Sequence, residues 1–447
     1  MTPAPRTSDR PLACVVMAGG KGTRMRSQLP KVLHPIWGRP LLGWVVAAVR
    51  EAGADRVVVV VPPDAADAVA AVADGAQTAV QHDQLGTGDA VRCALPALEG
   101  FDGDVLIVSG DTPLLTGALL AGLVADHRAA GAAATLATFE LDDPGSYGRV
   151  LRDGGSVRVV EARDATADEL AVREVNAGLY VVAADALRPA LAALTNDNAQ
   201  GEYYLPDVVP AIAAAGGAVT ASLVADAALL LGVNTRVELA EAAAIIRDRI
   251  VEAHLLAGAG IVDPATTYID ADVVLEPDCV VHPFTILRGA TRLAAGAEAG
   301  PHSVLTDSVL EAGAQAGPFA HLRPGTHLHA GARVGAFAET KNAEVGARSK
   351  IPHLSYVGDA EIGEDTNIGA GNITANYDGV AKHRTVIGDR VRTGSDCVFV
   401  APVTVGDDAT TGAGSIITED VPAEALAIAR ARQVVKEHYA KRKRDVR

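Results

Sequence analysis

The chain has 447 residues, of which 49% are hydrophobic and 21% charged, and its formal net charge is −16. This composition indicates a globular protein that is too long for a single core, so two or three domains are expected. The acidic balance argues against a nucleic-acid-binding protein. Because residues 1–10 are polar and no stretch approaches the length of a membrane span, we predict a disordered extension there, no signal peptide and no membrane partner.

The cysteines are widely separated along the chain, at Cys14, Cys93, Cys279 and Cys397. Their spacing contains no Cys-x-x-Cys metal or redox motif. We therefore predict buried, reduced thiols in a cytoplasmic protein.

From residue 11 to about 235, apolar runs alternate with helix-like segments. We predict helices over 41–52 and 115–130, and strands over 12–17, 57–61, 105–108, 134–139 and 179–182. This alternation favours an α/β domain with a mostly parallel, Rossmann-like sheet and helices on both faces. Ligands of such sheets bind beyond the carboxyl ends of the strands, so motifs that follow strands deserve the closest inspection.

A glycine-rich turn follows the first predicted strand and contains Gly19, Gly20 and Gly22, with Arg24 and Lys31 close behind. Glycines let the backbone bend sharply and bring N–H groups to an anion, and the basic residues add positive charge. The spacing fits neither the Walker A motif nor the dinucleotide fingerprint. A glycine turn alone is equally compatible with an ordinary turn. Together with Arg24 and the following Pro-Lys, this one resembles the signature of sugar-phosphate nucleotidyltransferases.

Asp111 follows the third predicted strand, within Ser-Gly-Asp-Thr-Pro. A carboxylate at this place suits Mg²⁺, which prefers one or two carboxylates plus phosphate oxygens. The alternative is a helix N-cap for the segment that begins near Leu114. Asn234 could supply a neutral oxygen to the same ion, although by itself it is better explained as a turn residue.

Two further groups of polar and glycine residues stand among the predicted strands. Gln81 can make paired hydrogen bonds to a pyrimidine edge, and the Gly86-Thr87 pair lets the backbone approach a base. Residues 147–150, Glu161 and residues 176–178 suit a sugar site. Each of these groups taken alone is equally compatible with a structural role.

A long helix is predicted after residue 235. Thr235 and Glu238 fit a capping box, Gly258 is a plausible stop, and one apolar stripe joins Leu239, Ala243, Ile246 and Ile250. We predict that this helix, over 236–258, links a first domain at 11–235 to a second at 259–447.

The second domain contains a six-residue repeat. From Val386 onward the chain divides into hexads, whose second position holds Ile387, Thr393, Phe399, Val405, Thr411 and Ile417. Val345, Ile351 and Val357 keep the same step, and Ile362 and Ile368 resume it after one slip. This period predicts a parallel β-helix with one short strand per hexad and three per coil, the second-position side chains pointing inward. Residues 374–385 interrupt the repeat and are predicted to form a projecting loop, and residues 433–447 a short helix or a frayed tail.

The repeat resembles that of the left-handed β-helix acyltransferases, and nearly the whole chain resembles one bacterial family. This is the bifunctional N-acetylglucosamine-1-phosphate uridylyltransferase and glucosamine-1-phosphate N-acetyltransferase family. The motifs that carry the resemblance are Ala-Gly-Gly-Lys-Gly-Thr-Arg-Met, Leu-Pro-Lys-Val-Leu-His, Gln-Leu-Gly-Thr-Gly, Ser-Gly-Asp-Thr-Pro-Leu-Leu, Asn-Ala-Gln-Gly-Glu-Tyr-Tyr, Leu-Arg-Pro-Gly and Gly-Ala-Gly-Asn-Ile-Thr-Ala-Asn-Tyr-Asp-Gly. It implies acetyl transfer from acetyl-CoA to glucosamine 1-phosphate, then uridylyl transfer from UTP, which gives the UDP-N-acetylglucosamine needed for the cell envelope.

By this resemblance the first domain holds UTP, Mg²⁺ and N-acetylglucosamine 1-phosphate. Arg24 and Lys31 act in catalysis, and Asp111 with Asn234 binds Mg²⁺. The UTP site comprises Ala18, Gly19, Gly20, Lys31, Gln81, Gly86 and Thr87. The sugar-phosphate site comprises Gly148, Glu161, Asn176 and Asn234.

In the second domain the resemblance implies a general base, His353, oriented by Glu339. Glucosamine phosphate is held by Arg323, Lys341, Tyr356 and Asn367. Acetyl-CoA is held by Ala370, Asn376, Tyr377, Ser395, Ala413 and Arg430. The resemblance also implies a cytoplasmic homotrimer with acetyl-CoA sites between subunits. Two departures from the family pattern are small: Met-Ala-Gly-Gly opens the glycine turn, and Ile351-Pro352 precedes His353.

The chemistry of the two reactions agrees with this division. The acceptor phosphate in uridylyl transfer is already an anion at neutral pH, so that site needs positioning and charge neutralisation but no base. In acetyl transfer a sugar ammonium must first lose a proton, which a histidine can accept near neutral pH.

Two rival functions are an enzyme with only nucleotidyl transfer and a structural β-helix, and a non-enzymatic trimeric scaffold. The interrupting loop, His353 and Lys341 argue against both. A lone histidine in a β-helix is more often a solvated surface residue, and His383 in the loop is the second candidate for the base. We predict that His327 and His329 are exposed and form no zinc site, because no further ligand has suitable spacing.

Overall fold

The computed structural model describes residues 10–20, 22–153 and 156–445, so the predicted extension lies outside the described residues except for Arg10. The chain divides into two compact units, one ending at Ile246 and the other beginning at Arg247. This division falls inside a helix, and the domain boundaries given above stay predictions. Within the described part of the chain, no helix combines the length and apolarity that crossing a membrane requires.

A nine-stranded sheet forms the centre of the first unit. In chain order the strands of this unit are β1 (Leu12–Met17), β2 (Pro35–Ile36), β3 (Arg39–Pro40), β4 (Arg56–Val61), β5 (Gln77–Val80), β6 (Asp104–Ser109), β7 (Ala134–Glu140), β8 (Arg149–Asp153), β9 (Ser156–Val160), β10 (Glu174–Ala183) and β11 (Val219–Leu223). The order across the sheet is β11-β7-β10-β6-β1-β4-β5, with the β8–β9 hairpin attached to β10, while β2 and β3 pair separately. Strands β6, β1, β4 and β5 are parallel neighbours and β10 is antiparallel, so the prediction of a mostly parallel sheet is confirmed.

Helices cover both faces of this sheet. They are α1 (Leu41–Glu51), α2 (Ala66–Ala70), α3 (Thr87–Ala94), α4 (Gly117–Ala129), α5 (Ala167–Leu170), α6 (Ala184–Ala193), α7 (Val208–Ala214) and α8 (Arg236–Leu256), with 3-10 turns at Thr23–Met25, Lys31–Leu33, Pro63–Ala65, Leu95–Leu98, Leu205–Asp207 and Ala227–Leu230. Along β1, Cys14 and Val16 join one hydrophobic cluster, and Ala13 and Val15 join another. Burial on both faces explains why this strand is apolar throughout instead of alternating.

The direction of the strands brings the ends of several strands to one edge of the sheet. The carboxyl ends of β1, β5 and β6 lie at this edge because the three strands run the same way. Strand β10 runs against β6, with Tyr180 opposite Ile107, so the start of β10 reaches the same edge. Loops that follow parallel strands and the first residues of β10 therefore meet there.

Helix α8 begins with the predicted capping box. The Glu238 N–H donates to Thr235 Oγ1 at 3.2 Å, and the Thr235 N–H donates to Glu238 Oε2 at 2.8 Å. Gly258, with φ of +97°, follows the end of the helix as predicted. The predicted apolar stripe is only partly buried: Ile246 is fully enclosed, whereas Leu239 and Ile250 are half-buried.

Parallel strands stacked into three faces form the second unit. One face contains Gly260–Ile261, Val280–Val281, Glu298–Ala299, Gln315–Ala316, Arg333–Ala336 and Lys350–His353, followed by Thr410–Thr411 and Leu426–Ala427. The second contains Tyr268–Ile269, Ile286–Arg288, Val304–Thr306, His321–Leu322, Glu339–Val345, Tyr356–Ile362, Ile373–Ala375, Val398–Val400 and Ile416–Ile417. The third contains Val274–Leu275, Arg292–Leu293, Val309–Leu310, Thr326–Leu328, Thr385–Ile387 and Val403–Val405, and the long strands Glu339–Val345 and Tyr356–Ile362 extend into it.

The predicted β-helix and its inward positions are confirmed. Paired residues in successive coils are 17 or 18 positions apart, as in Val280–Glu298–Gln315. Every second-position residue of the hexads is buried, and so are the earlier ones: Val345, Ile351, Val357, Ile362, Ile368, Ile387, Thr393, Phe399, Val405, Thr411 and Ile417. These side chains stack along the interior, where each coil contacts only its neighbours.

One coil is longer than the others. Ala360 pairs with Thr385, which is 25 positions later, so this coil contains an insertion. The predicted projecting loop is present but contains fewer residues than the predicted range 374–385. Thr374 and Thr385 are buried within strands, whereas Val380 is 91% exposed. An antiparallel bridge joins Tyr377 and Lys382 within the loop.

Three smaller predictions can be compared with the structure. A short final helix, α9 (Tyr439–Asp445), lies within the predicted tail. All four cysteines are free, but Cys93 is only half-buried, so the prediction of burial is wrong for it. The prediction that His327 and His329 are exposed is also wrong, because both are half-buried. They lie beside Glu311 of the preceding coil, which follows Leu310, the strand partner of Leu328.

The inward positions of the β-helix generate a stability prediction. Phe399→Ala should lower the free energy of unfolding by about 3–5 kcal/mol, because Phe399 is 1% exposed and its removal leaves a cavity. Val400→Ala is the matched control, since the Val400 side chain points outward and is 39% exposed. Denaturant unfolding of both variants measures the difference, and equal losses would contradict the inward role of Phe399.

Candidate functional sites

Two adjoining cavities, of about 310 and 370 Å³, lie at the edge of the sheet where β1, β5 and β6 end. Both are lined by Met17, Thr87, Ser109 and Asp111. The first also contains Ala18, Gly19, Gly20, Lys31, Gln81 and Gly86, and the second Arg24, Gly148, Glu161, Asn176 and Asn234. The structure thus brings together all the residues predicted for the uridylyl site.

Close backbone packing shapes the first cavity. A Cβ on Gly19 would lie 2.7 Å from the Gln81 side-chain oxygen, so a larger residue could not sit there without displacing Gln81. Gly86 has φ of +108°, and a Cβ on it would lie 2.7 Å from the Tyr203 carbonyl oxygen. Gln81 is buried, and its Nε2 donates to the Gly86 carbonyl at 3.1 Å and to Asp89 Oδ2 at 2.9 Å. These contacts hold the Gln81 amide in one orientation at the cavity wall.

Lys31 connects the two predicted metal ligands. Its ammonium forms an ion pair with Asp111 Oδ2 and donates to Asn234 Oδ1 at 3.0 Å. Ser109 Oγ donates to the other carboxylate oxygen of Asp111 at 2.6 Å. The Asn234 N–H donates to Glu238 Oε2 at 2.6 Å, which fixes Asn234 at the start of α8. A carboxylate oxygen and an amide oxygen therefore converge on one cationic atom, an arrangement that also suits Mg²⁺.

The second cavity has polar groups set among apolar strands. The Asn176 amide donates to the Tyr180 hydroxyl at 2.7 Å and accepts from the Gly178 N–H at 3.1 Å, so its orientation is fixed. Burial raises the pKa of Glu161 above its ordinary value of 4.5, and the nearby carboxylate of Asp164 adds to this effect. An acidic group whose charge is poorly solvated is a good acceptor for ligand hydroxyl groups.

The cavities also contain residues to which the sequence analysis gave no role, namely Gln84, Glu202 and Tyr180, and they contain Tyr147, which it placed among residues that suit a sugar site. Gln84 Nε2 donates to the Gly19 carbonyl at 2.6 Å and lines the first cavity, as does Glu202. Tyr147 and Tyr180 line the second cavity. Burial raises the pKa of both tyrosines. Gln84 and Glu202 lie within motifs quoted above, so a signal was present, but Tyr180 is hidden in an apolar strand.

In the second unit, five predicted residues occupy one position in successive coils, and we call this set the His353 column: His353, Ala370, Ser395, Ala413 and Arg430. Backbone hydrogen bonds link these coils, with donation from Gly371 N–H to the His353 carbonyl at 3.1 Å, from Asp396 N–H to the Ala370 carbonyl at 2.8 Å, and from Gly414 N–H to the Ser395 carbonyl at 2.8 Å. A Cβ on Gly414 would lie 3.8 Å from Arg430 Cδ, which extends the series by one coil. Neighbouring strands are about 4.8 Å apart, so the His353 column spans roughly 20 Å.

The adjoining face contains three of the four predicted sugar-phosphate residues, Arg323, Lys341 and Tyr356. Glu339 is paired with Tyr356 in register. Its carboxylate accepts a hydrogen bond from Arg323 at 2.8 Å and lies 3.8 Å from the ring of His321. Among the described residues the Glu339 side chain thus contacts Arg323 and His321, and its predicted role of orienting His353 stays a prediction. Asn367 lies on the first face, bridged to Lys350 and Arg392.

Lys341 lies in a cluster of cationic side chains with Lys382 of the projecting loop and Arg323. The ammonium of Lys382 lowers the pKa of Lys341, and the guanidinium of Arg323 acts in the same direction. Asp359 accepts hydrogen bonds from Asn342 at 2.7 Å and from Asn376. The Asp359 carboxylate acts on the pKa of Lys341 in the opposite direction, but the three cations outnumber it, so this place suits a phosphate. The sequence analysis did not assign Lys382, whose only signal is its place in the interrupting loop.

Tyr377 lies in the same loop. Its hydroxyl donates to the Gly379 carbonyl at 2.7 Å, and its ring is 61% exposed. Ser395, Ala413 and Arg430 are exposed as well, whereas Ala370 is half-buried and Asn376 is buried. Four of the six predicted acetyl-CoA residues are therefore accessible from solvent.

The first unit has a cavity at the carboxyl ends of parallel strands, and the second is a β-helix of hexapeptide repeats that carries the exposed His353 and a cluster of cations around Lys341. These features define a two-domain transferase. Comparison with known proteins supports this class. Residues 14–207 match the family model of the MobA-like NTP transferase domain, and residues 384–419 match six repeats of the bacterial transferase hexapeptide.

The relatives are more specific. The chain is 50% identical to the bifunctional protein GlmU of Kineococcus radiotolerans, over 94% of this chain and 89% of that protein. It is 49% identical to the one of Mycolicibacterium vanbaalenii over 97% and 94%, and 48% identical to the one of Pelobacter propionicus over 96% and 98%. The chain belongs to the GlmU family, and it is a bifunctional enzyme with a nucleotidyltransferase and an acetyltransferase domain.

The buried carboxylate of the second cavity generates a pH-dependent prediction. Because the pKa of Glu161 is higher in the folded than in the unfolded chain, folded protein binds the proton more tightly, and stability falls as pH rises through the interval between the two values. Glu161→Gln should therefore raise the free energy of unfolding at pH 7, and the gain should vanish below about pH 4. Thermal unfolding at both pH values measures it.

Glu140→Gln is the control for this comparison, since Glu140 is exposed at the end of β7. An equal gain in the control, or a gain of Glu161→Gln that persists unchanged in acid, would contradict the assigned cause.

Proposed function

We propose that the first unit transfers a uridylyl group from UTP to N-acetylglucosamine 1-phosphate within its edge cavities. We also propose that the second unit transfers an acetyl group from acetyl-CoA to glucosamine 1-phosphate at the His353 column. The observation that carries the first assignment is the convergence of Lys31, Asp111 and Asn234 beside the glycine turn. The second rests on His353 at one end of a column of predicted acetyl-CoA residues.

Asp111 and Asn234 are the residues that would hold Mg²⁺. Their fit is supported by the oxygen atoms that both direct at the Lys31 ammonium, a position favourable to a cation. When bound, Mg²⁺ neutralises negative charge on the phosphates of the nucleotide. The chain itself supplies Lys31, and Arg24 at the rim of the second cavity, as further positive charge.

Uridylyl transfer needs positioning more than proton transfer. An oxygen of the sugar phosphate attacks the α-phosphorus of UTP, the bond to the β-phosphate oxygen breaks, and pyrophosphate leaves. The attacking phosphate is already an anion, so no protein base is required. Gln81 and the Gly86 turn hold the base, while Glu161 and Asn176 hold the sugar, which aligns the two reactants.

Acetyl transfer needs a base. The His353 imidazole takes a proton from the sugar ammonium, and the free amine attacks the thioester carbonyl carbon. The carbon–sulfur bond then breaks, coenzyme A leaves as a thiolate that takes the proton held by His353, and the new amide nitrogen loses its remaining extra proton to solvent. Arg323 and Lys341, with Lys382, hold the sugar phosphate and so place the amine near His353.

We further propose that the protein is a cytoplasmic homotrimer whose subunits share the acetyl-CoA sites, and that acetyl transfer precedes uridylyl transfer. Hexapeptide repeats support an oligomer, and an exposed ridge of stacked rings runs along the β-helix: Phe284, His302, Phe319 and Phe337. Both UTP and acetyl-CoA are cytoplasmic metabolites, and all four cysteines are free. Release of free thiol from acetyl-CoA on adding glucosamine 1-phosphate excludes both a nucleotidyltransferase-only enzyme and a non-enzymatic scaffold.

Asp111→Asn should reduce uridylyl transfer by several orders of magnitude and leave acetyl transfer near normal, because it removes the only charged ligand proposed for Mg²⁺. Release of pyrophosphate and of free thiol measures the two activities in the same preparation. Asp64→Asn, at an exposed position of the same unit, is the control. Equal loss of both activities would point to misfolding and not to a lost ligand.

His353→Ala should reduce acetyl transfer by about 10²–10⁴-fold and leave uridylyl transfer intact. His353→Asn should be similarly impaired, because an amide fills the space but does not accept the proton. Binding of acetyl-CoA should be largely retained, since its proposed contacts lie in later coils. If His353→Ala keeps more than half of the acetylation rate at saturating substrate, the assignment of the base is wrong and His383 is the next residue to test.

A further inference from the structure

Four side chains meet on the outer surface of the third face of the β-helix, and we call them the histidine–glutamate cluster: Glu311, His327, His329 and Glu344. His327 is paired with Glu344 in register, and Leu310 with Leu328, which places Glu311 beside His329. Leu328 is buried, so the residues on either side of it point outward. The strand pairing therefore brings two imidazoles from one coil against a carboxylate from each neighbouring coil.

Each imidazole of this cluster contacts both carboxylates. His327 Nε2 and His329 Nδ1 lie 2.9 and 3.1 Å from Glu311 Oε1. His329 Nε2 and His327 Nδ1 lie 3.0 and 3.3 Å from Glu344 Oε2. The two rings are stacked, with centroids 4.2 Å apart. All four ring nitrogens thus face carboxylate oxygens.

This arrangement has more acceptors than neutral histidines can satisfy. A neutral imidazole has one N–H donor and one lone pair, so two neutral rings offer two donors for four nitrogen–oxygen contacts. At two of the contacts a nitrogen lone pair then faces a carboxylate oxygen. Either protonation of both rings or a shared cation removes this opposition, and a cation does so at neutral pH without charging the rings.

We propose that the histidine–glutamate cluster binds one divalent transition-metal ion, for which Zn²⁺ is the probe. Imidazole nitrogen and carboxylate oxygen are both ligands of Zn²⁺, and a set with two histidines and a glutamate is a known donor combination for this ion. The candidate ligand atoms of Glu311, His327 and His329 all lie within 4.8 Å of one another. A tetrahedral ion with bonds of about 2.0–2.2 Å needs ligand atoms about 3.3–3.6 Å apart, which small side-chain rotations can supply.

Neighbouring groups support this role for the glutamates. The other oxygen of Glu311 accepts the Ala330 N–H at 3.0 Å, so the backbone fixes this carboxylate and leaves one oxygen for the ion. In the next coil, the register partner of Glu344 is Glu361, which forms an ion pair with Arg384 at 3.3 Å. Two carboxylates and a divalent ion balance in charge. The ion, held by Glu311, His327 and His329, would tie two successive coils together, which predicts a stabilised β-helix. Glu344 of the next coil would accept hydrogen bonds from the opposite ring nitrogens and fix the orientation of the two imidazoles.

The test uses the full-length protein, first freed of metals with a chelator and then kept in excess Mg²⁺. Excess Mg²⁺ occupies oxygen-ligand sites, including that proposed at Asp111, but competes poorly for imidazole nitrogen. Calorimetric titration with Zn²⁺ should show about one ion per chain, and the melting temperature should rise with Zn²⁺ concentration. Replacing Zn²⁺ by Co²⁺ should give the visible absorption of a nitrogen-ligated ion.

Two variants localise the site. His327→Asn/His329→Asn and Glu311→Gln should each weaken Zn²⁺ binding by at least about tenfold and remove most of the thermal shift. His282→Asn is the matched control, because His282 is a half-buried histidine of the same β-helix whose Nε2 lies 3.3 Å from a single glutamate, Glu298. Release of free thiol from acetyl-CoA should be unchanged in all three variants, which shows that the β-helix is folded.

Two results would overturn the proposal. One is wild-type protein that binds no Zn²⁺ in excess Mg²⁺, and the other is a double-histidine variant that binds Zn²⁺ as tightly as wild type does. A loss in the His282→Asn control equal to that in the double variant would also count against it, since it would assign binding to histidines in general.

Discussion

The stacking of buried side chains inside the β-helix is the constraint on which the second unit depends. One inward residue per hexad fixes the rotation of each strand, so residues 17 or 18 positions apart must lie above one another. This geometry sets the outer surface as firmly as the interior, because neighbours of an inward residue have to point out. The His353 column and the histidine–glutamate cluster both result from that alignment. Neither set of residues is close in sequence, yet each is brought to one place by the repeat.

A different constraint organises the first unit. Parallel strands bring their carboxyl ends to one edge, and the ion pair between Lys31 and Asp111 joins two loops there that are 80 positions apart in the chain. Neither of these charges is fully solvated, so each depends on the other and on Asn234 and Ser109 for its polar contacts. The carboxylate of Asp111 and the ammonium of Lys31 are therefore already in contact within the site. Binding of a triphosphate has to redistribute those contacts rather than create them.

Much of this organisation could be predicted from the sequence because it depends on local pattern. The hexad step identified the inward residues from Val345 to Ile417, and the Thr235–Glu238 pair identified the start of α8. Predictions failed where the outcome depends on neighbours in space. His327 and His329 were interpreted as exposed because Glu311 and Glu344 are distant in sequence, and only the register of three coils brings these four residues together. The same reason explains why Tyr180 and Lys382 carried no clear signal. Contacts of Glu339 with Arg323 likewise depend on pairing between coils.

The lengthened coil between Ala360 and Thr385 shows how this architecture can acquire new parts. The strands on both sides keep their pairing although the chain leaves the coil and returns, so the extra residues do not shift the register of the stacked strands. A repeat of this kind separates the part of the sequence that maintains the scaffold from the part that is free to diverge. Loops inserted at a corner can change in length and composition under selection for a ligand while the coils above and below stay the same. Such modularity gives related chains a simple route to different acyl acceptors on a common frame.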